Sequence, residues 1–240
     1  MSQVPEISAV LPAYNERESI ADCLLELHAV LSRLGRPFEI VVVDDGSSDG
    51  TFEALRGLKG RMPELRAASF KQNRGQTAAM AAGFQLARGE IVVTLDADMQ
   101  NDPADIPRML DLMDRYDVVC GVRAKRNDSA VRRLSSKVGN GVRNWLTRDT
   151  ITDTGCTLKL YRRKFLLQVK LYEGMHRFLP TLLKLAGARV TELPVNHRPR
   201  TRGKAKYGIG NRAIKGLRDC LAVRWMQRRW IRYEIKEEME

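Results

Sequence analysis

The sequence lacks any run approaching the ~18 uninterrupted apolar residues that a membrane-spanning helix needs. Its start, MSQVPEISAVLPAYNE, lacks the basic region and the long apolar stretch of a signal peptide, so we expect a cytoplasmic protein. It has only three histidines, which argues against a histidine-rich metal site. Its four cysteines, Cys23, Cys120, Cys156 and Cys220, form no C-x-x-C pair. We therefore expect reduced thiols rather than zinc ligands or disulfides.

What the sequence does have is an excess of positive charge in its second half. Hydrophobic residues make up 43% and charged residues 29% of the 240 residues, which is ordinary for a globular protein. Residues 1–120 hold 12 Lys/Arg and 19 Asp/Glu, a balance of −7, whereas residues 121–240 hold 29 and 10, a balance of +19. The asymmetry suggests an acidic half that holds a metal and a nucleotide. The other half would meet anions, such as nucleic acid, acidic lipid or phosphorylated substrates.

Strand-like and helix-like patterns alternate regularly through the first 122 residues. The predicted strands are residues 7–11, 39–43, 65–70, 91–95 and 117–122, and the predicted helices are residues 18–34, 51–59, 77–87 and 103–114. Strands that alternate with helices of this length indicate βαβ units and a parallel sheet. The sequence therefore predicts an α/β fold whose residues 1–122 form a Rossmann-like, nucleotide-binding half.

The regular alternation stops after residue 122. The predicted segments that follow are a basic helical stretch (123–148), a turn (153–156), an apolar run (178–186), a strand (189–195), a basic glycine-containing loop (197–208) and a last helix (from about 211 towards 234). We assign residues 123–210 to a second half of the same domain, and residues 211–240 to a C-terminal helix.

The stretch VTLDADMQNDP, residues 93–103, ends the fourth predicted strand in acidic groups. If the chain stays extended, alternation places Asp96, Asp98 and Gln100 on one side. Such hard oxygen ligands suit Mg²⁺ or Mn²⁺, which take one or two carboxylates together with substrate phosphates. The alternative is a polar turn in which Asn101 or Asp102 caps the next helix ahead of a proline.

Three more polar stretches stand at strand ends in this half. In LPAYNE, residues 11–16, we expect Pro12 to end the strand and expose Tyr14 and Glu16. In VVVDDGSSDGT, residues 41–51, Asp44 and Asp45 precede a Gly-Ser turn. The stretch FKQNRGQTAAMAAGFQLARGE, residues 70–90, leads into a helix of small residues. Ligands of open α/β sheets bind at the carboxyl ends of the strands, so these stretches together predict a nucleotide site.

These four stretches, in this order, resemble the inverting glycosyltransferases of family 2, which have the GT-A fold. The similarity is strongest to the polyprenyl-phosphate glycosyltransferases, of the dolichyl-phosphate mannosyltransferase type, and covers residues 4–210. DADMQNDP is similar to their D-A-D-x-Q stretch, and DTGC at 153–156 lies where they carry a turn. HRPRTRGKAKYG, residues 197–208, resembles their R-x-x-G-x-S-K-Y loop, with Ala205 in place of the serine.

The resemblance implies a role for each matching residue. The residues implied for the nucleoside pocket are Pro12, Tyr14, Glu16, Asp44 and Asp45. Asp96 is implied beside the sugar and the ribose, and Asp98 and Gln100 hold the Mg²⁺ or Mn²⁺ ion. Arg200 and Lys206 are implied to close over the donor diphosphate. The residues implied to grip the acceptor phosphate are Arg123, Arg132 and Ser135, although Arg133 and Ser136 fit that pattern equally well.

The family implies transfer of a sugar from a UDP- or GDP-sugar to a polyprenyl phosphate, either undecaprenyl or dolichyl. Because a phosphate monoester is already ionised at pH 7, it needs positioning by cations rather than a base. The alternative is a hydroxyl acceptor with Asp149 or Asp153 as the base. A nucleic-acid-binding protein is a remote alternative, motivated by the pI of about 9.8, and it does not explain the strand-end motifs. We therefore expect no nucleic acid partner.

The last segment, residues 211–240, predicts a basic amphipathic helix at an anionic membrane surface. Its apolar residues at helical spacing are Ile214, Leu217, Leu221, Trp225 and Met226, followed by Trp230, Ile231 and Tyr233; its cations are Lys215, Arg218, Arg224, Arg228, Arg229, Arg232 and Lys236. We expect peripheral attachment at the cytoplasmic face of the membrane, and a second copy or a membrane protein is a further conceivable partner. The alternative is a helix packed on the catalytic domain, with a solvated basic face.

Overall fold

The computed structural model describes residues 4–124, 130–199, 212–231 and 237, and of residues 130–138 and 212–214 it describes the backbone. The strands are β1 (Ile7–Ala13), β2 (Phe38–Asp44), β3 (Leu65–Ser69), β4 (Ile91–Thr94), β5 (Val118–Arg123), β6 (Lys159–Arg162) and β7 (Val190–Val195). The helices are α1 (Ile20–Arg33), α2 (Thr51–Lys59), α3 (Gln76–Leu86), α4 (Ile106–Leu110), α5 (Ala130–Thr147), α6 (Arg163–Leu166), α7 (Leu179–Leu185) and α8 (Arg212–Arg229). Single 3-10 turns precede α4, at Pro103–Asp105, and α7, at Met175–Phe178.

The strands form one sheet in the order β3-β2-β1-β4-β6-β5-β7. All neighbouring pairs are parallel except those of β6, which runs antiparallel to β4 and to β5. The predicted α/β class and mostly parallel sheet are confirmed. The predicted halves, 1–122 and 123–210, share this sheet, and the division into residues 1–210 and 211–240 stays a prediction.

Strand β6 is the element that the sequence analysis missed. It has four residues, Lys-Leu-Tyr-Arg, and both of its faces are buried. Leu160 belongs to the core on one side of the sheet, and Tyr161 belongs to the core on the other. A short strand buried on both faces shows no apolar–polar alternation, and two cations obscure its apolar content.

Two predicted boundaries are wrong. Pro12 does not end β1, which continues to Ala13 and pairs Pro12 with Val43 of β2. The pairing of β1 with β4 stops at Val10, so Pro12 lies where one side of β1 has lost its partner, and a residue without an N–H is tolerated there. The predicted helix 103–114 is shorter than expected: a 3-10 turn at Pro103–Asp105 leads into the five residues of α4, and the chain turns from Asp111 onwards.

Apolar cores on the two faces of the sheet position the strand ends. Helix α1 buries Ile20, Leu24, Leu27 and Leu31 on one face. Helix α3 lies on the other face, so close to β1 that a Cβ on its Gly83 would collide with Val10. The predicted helix of small residues is confirmed. All four cysteines are buried and free, as expected.

Helix α8 is confirmed, but its simple amphipathic character is not. Cys220 and Val223 are buried in a small core with residues of α7 and of the 3-10 turn before it. Leu217, Leu221 and Trp225, which share another face, are exposed. Apolar side chains therefore occupy both a packed face and an open face, and α8 is attached to the domain while it still presents apolar surface.

Candidate active site

The loops after β1 and β2 are fastened to each other at the carboxyl edge of the sheet. The backbone N–H of Asn15 donates to Ser47 Oγ at 2.8 Å, and the N–H of Ser48 donates back to Asn15 Oδ1 at 2.9 Å. Glu16 is buried; its N–H donates to Thr51 Oγ1 at 3.0 Å. The stretch 11–16, which contains Pro12 and Tyr14, therefore lies beside the stretch 41–51. These are the two stretches that the family resemblance assigns to the nucleoside.

Asp44 and Asp45 are buried at the end of β2 and hold the loop that follows β3. Asp44 Oδ2 accepts from Ser69 Oγ at 2.6 Å. Asp45 accepts from the backbone N–H of Arg74 at 2.6 Å and of Gly75 at 2.8 Å, and from Asn73 Nδ2 at 2.9 Å. A carboxylate offers about four acceptor sites, so these bonds leave room for a ribose hydroxyl or a base edge. The contact of Asp44 and Asp45 with a nucleoside stays a prediction.

The loop after β4 is turned rather than extended, which corrects the premise behind its predicted alternation. Strand β4 ends at Thr94, and Met99 has a φ of +61°. Asp98 Oδ1 accepts from the N–H of Gln100 at 3.1 Å, and Asp96 Oδ1 accepts from Gln76 Nε2 at 3.0 Å. Burial and, after it, the negative charge of Asp98 raise the pKa of Asp96, which lies two residues before it.

This donor set fits a divalent cation. A carboxylate whose ionised form is disfavoured by burial and by a neighbouring negative charge, as for Asp96, is stabilised by a cation nearby. The oxygens of Asp96, Asp98 and Gln100 are hard ligands of the kind that Mg²⁺ and Mn²⁺ take. The loop therefore has the chemistry of a metal site, with Asp98 and Gln100 as the predicted ligands.

The capping alternative for the same stretch is confirmed at its last residues. Asp102 Oδ1 accepts from the N–H of Ala104 at 3.1 Å, with a proline at the first helical position. Asn101 Oδ1 accepts from the N–H of Asp96 at 3.2 Å and from Thr157 Oγ1 at 2.8 Å. Asn101 and Asp102 therefore hold in place the loop that carries Asp96 and Asp98.

The start of the basic loop is attached to this same acidic loop. The N–H of Arg198 donates to the carbonyl oxygen of Gln100 at 2.9 Å. Its guanidinium forms a bidentate pair with Glu26 at 2.8 Å for each bond, and also contacts Asp102 Oδ1 at 2.8 Å. The predicted diphosphate residues Arg200 and Lys206 follow directly, and they lie outside the described residues.

On the acceptor side, Arg123 at the end of β5 is held by Asp153. Its Nε and Nη2 donate to the two oxygens of Asp153 at 2.8 Å each, and Asp153 Oδ1 also accepts from the N–H of Gly155 at 3.1 Å. Arg132 and Ser135 lie on α5, and their side chains are outside the described part of the chain. The structure thus fixes one of the three predicted acceptor residues.

Both carboxylates proposed as a base for a hydroxyl acceptor are engaged in internal pairs. Asp149 accepts from Lys184 Nζ at 2.6 Å, from the N–H of Thr150 at 2.7 Å, and from Thr181 Oγ1. Burial acts to raise the pKa of Asp149, but the bonds from Lys184 and Thr181 outweigh it, and the pKa is lowered. A carboxylate with a lowered pKa is a weaker base, and Asp153 is bound bidentately to Arg123, so neither is poised to take a proton.

A cavity of about 160 Å³ beside Asp96 contains residues that the sequence analysis did not identify. Lys159 of β6, Gln76 of α3, and His176 and Arg177 of the 3-10 turn before α7 line it. Lys159 was hidden because its strand was not predicted. His176 and Arg177 lie in an irregular segment that has neither helical nor strand periodicity. The one sequence signal for them is that two basic residues precede the apolar run 178–186.

Comparison with known proteins places this geometry in a family. The sequence matches the family described as "Glycosyl transferase family 2" over residues 8–169. It is 37% identical to the dodecaprenyl-phosphate galacturonate synthase of Rhizobium johnstonii, covering 93% of this chain and 68% of the relative. It is 39% identical to the undecaprenyl-phosphate 4-deoxy-4-formamido-L-arabinose transferase of Edwardsiella ictaluri, covering 85% of this chain and 63% of the relative.

The fold is also that of a solved enzyme. The mannosyltransferase PcManGT from Pyrobaculum calidifontis, whose structure contains GDP-Man and Mn²⁺, superposes with a TM-score of 0.60 at 22% identity. The match covers 83% of this chain and 58% of that one. The predicted GT-A fold is confirmed, and the chain spans roughly three fifths to two thirds of the length of the proteins named here.

Proposed function

Because this chain belongs to glycosyl transferase family 2, we propose that it transfers a sugar from a nucleotide-sugar donor to the phosphate of a polyprenyl phosphate. The names of both relatives, a galacturonate synthase and a formamido-arabinose transferase, specify a prenyl phosphate acceptor. The two names give different sugars: galacturonate is acidic, and formamido-arabinose is neutral. They therefore do not identify the sugar that this chain transfers. The solved neighbour contains GDP-Man, but at 22% identity it does not decide between uridine and guanosine here.

The observation that carries the proposal is the position of Asp96 and Asp98 at the carboxyl end of β4. Burial and, after it, the charge of Asp98 raise the pKa of Asp96, and Gln76 Nε2 of α3 donates to Asp96 Oδ1 at 3.0 Å. We assign Asp98 and Gln100 to a Mg²⁺ or Mn²⁺ ion, which, when bound, neutralises the charge that develops on the leaving diphosphate. Asp44, Asp45 and Glu16 then contact the nucleoside.

Arg200 and Lys206 are proposed to cover the donor diphosphate. What supports this is the attachment of Arg198 to Gln100 and Asp102, because it starts the basic loop at the edge of the proposed metal site. Arg200 follows two residues later, and two residues of extended chain span about 7 Å at most. The backbone connection alone thus keeps Arg200 within reach of a diphosphate bound at Asp98.

On the acceptor side, the proposed reaction needs cations and no base. A phosphate monoester is ionised at pH 7, and Arg123, with Arg132 and Ser135 of α5, is proposed to hold it opposite the leaving group, which inverts the sugar's configuration. The pairing of Arg123 with Asp153 at 2.8 Å orients its guanidinium without loss of its charge. The engaged state of Asp149 and Asp153 weighs against the hydroxyl-acceptor mechanism.

The acceptor's lipid chain requires the enzyme to work at a membrane surface. In the part of the chain that the structure describes, no helix is long and apolar enough to cross a membrane. Two helices that pack against each other, α5 and α8, expose tryptophans: Trp145 is 79% and Trp225 is 62% exposed. We propose that this tryptophan face, with the cations of α8, binds the anionic cytoplasmic face of a membrane peripherally.

The test is the linkage of the product. The purified protein is incubated with Mn²⁺, radiolabelled UDP- and GDP-sugars, and undecaprenyl or dolichyl phosphate, with the free prenol as the matched hydroxyl acceptor. We expect label in the organic phase only with the phosphate, released by mild acid, and no label with Asp98→Ala. Transfer to the prenol alone, or an acid-stable product, would contradict the proposal.

A further inference from the structure

The cavity beside Asp96 is lined by more positive charge than the rest of the site explains. Lys159 lies on its wall and is only 3% exposed. Within the described residues, the one hydrogen bond of its ammonium group is to the carbonyl oxygen of Thr154 at 3.4 Å. The charge of Lys159 acts on Asp96, but no described carboxylate lies within ion-pair distance of Lys159. A buried ammonium group without a paired anion is costly, so this arrangement favours a ligand that brings negative charge.

Arg177 adds a second cation on the same wall. Its Nη2 lies 3.6 Å from Asp219 Oδ2, while its buried Nε has no hydrogen-bond partner among the described residues. His176, between the two, adds no charge, because burial and, after it, the charge of Arg177 lower its pKa to about 3. Among the described residues that line the cavity, Asp96 is the only carboxylate, and it is assigned to the donor.

The size and place of the cavity identify which part of a ligand enters it. Drug-sized ligands occupy roughly 300 Å³ or more, so about 160 Å³ holds a fragment such as one sugar ring. The proposed function would put the diphosphate at Asp98 and Gln100, and neither residue lines the cavity, whereas Asp96 does. The group that extends past Asp96 is therefore the donor's sugar.

We propose that this cavity receives the donor sugar, and that Lys159 and Arg177 select a sugar with a carboxylate, that is, a uronic acid. The inference rests on the proposed function and names its substrate class. A neutral sugar leaves Lys159 unpaired, and an amino sugar places a third cation beside two. Sites built around a buried polar group reject ligands that leave it unpaired.

The test measures donor binding, without any acceptor, by calorimetry in the presence of Mn²⁺. Three matched pairs are compared: UDP-glucuronate with UDP-glucose, UDP-galacturonate with UDP-galactose, and GDP-mannuronate with GDP-mannose. In at least one pair we expect the uronate to bind roughly 10- to 100-fold more tightly, as one or two charge-assisted bonds give. Lys159→Met should remove most of this preference, and Arg177→Gln should reduce it.

Two controls separate selection from folding. Lys159→Met should lose affinity for the uronate by a much larger factor than for the neutral sugar nucleotide of the same pair. Lys170→Met, at an exposed lysine away from the cavity, should keep the full preference. A neutral sugar that binds as tightly as its uronate in every pair overturns the inference. An equal loss of both sugars, or of free UDP or GDP, in Lys159→Met also overturns it, because the cavity would then serve the diphosphate.

The outcomes also distinguish this inference from the proposed function. A protein that transfers a neutral sugar to the lipid phosphate contradicts the inference and leaves the proposed function intact. A protein that binds a uronate as described and forms no lipid-linked product contradicts the proposed function alone. Absence of uronate binding in all three pairs contradicts the inference alone, because the proposed function leaves the sugar open and has its own test in the product linkage.

Discussion

Gly46 is the position at which one added methyl group should damage the donor site most. It follows Asp45, has a φ of +69°, and faces the loop that Asp45 holds. A Cβ there would lie 2.6 Å from the carbonyl carbon of Gln72 and 2.7 Å from the N of Asn73. These atoms belong to the backbone, so they cannot rotate away as a side chain would, and the loop itself must move.

The expected loss of stability has two parts. The left-handed conformation costs a non-glycine residue about 1–2 kcal/mol, and overpacking costs a further ~1–3 kcal/mol. Gly46→Ala should therefore lower the free energy of unfolding by about 2–5 kcal/mol. Gly35→Ala is the matched control, since Gly35 has a φ of +64° and nothing within 4 Å of its added Cβ, and it should show the conformational part alone.

The assay is urea unfolding of both variants, followed by steady-state kinetics under folding conditions. A displacement of the loop by about 1 Å disturbs the bonds that Asp45 makes to it, and misplacements of that size reduce turnover about 100-fold. Gly46→Ala should lose kcat/KM on this scale, and Gly35→Ala should keep it. Equal destabilisation of the two variants would refute the reasoning, because the contact with Gln72 would then add nothing.

Three further predictions concern the metal, the base and the membrane. Asp98→Ala should abolish the gain in donor affinity that Mn²⁺ gives in calorimetry, and a native protein fully active in excess EDTA would contradict the metal assignment. Asp153→Asn should raise the acceptor KM about tenfold, by releasing Arg123, and should leave the acidic limb of the pH–kcat profile in place. Loss of that limb would support Asp153 as a base. Leu221→Ala should weaken flotation with anionic liposomes. The control is Leu25→Ala in α1, which should float like the native protein, since Leu25 is 51% and Leu221 is 53% exposed. Equal flotation of the two variants would show that α8 does not contact the membrane.

The sequence predicted six of the seven strands because each of those six belongs to a repeating βα unit or forms an apolar run between turn residues. The strand it missed, β6, lies between β4 and β5 in the sheet and comes after both in the chain. Its place depends on pairings such as that of Lys159 with Thr94, which are 65 residues apart and leave no local period. Lys159 and the cavity beside it were hidden for the same reason.

The partners of the site residues were equally unpredictable, although the residues themselves were not. Asp45 is recognisable as a strand-end carboxylate, but its donors at residues 73–75 come from the loop after the next strand. Arg123 is recognisable as a cation in the basic half, but its partner Asp153 lies 30 residues away. A motif indicates which side chains collect at the sheet edge, whereas tertiary contacts decide which of them remain for a ligand.

The acidic stretch after β4 shows how one segment supplies both a turn and a site. The side-chain oxygen of Asn101 accepts hydrogen bonds from the N–H of Asp96 and from Thr157. The carboxylate of Asp102 accepts from the N–H of Ala104 and pairs with Arg198 at the start of the basic loop. These bonds are structural. Those bonds fix the loop in the turned form that β4, with only four residues, does not itself impose. The same loop carries Asp96 and Asp98, although their negative charges repel each other. Burial and, after it, the charge of Asp98 raise the pKa of Asp96. The capping residues therefore do not compete with the metal-site hypothesis; they hold in place the loop that carries the proposed ligands Asp98 and Gln100.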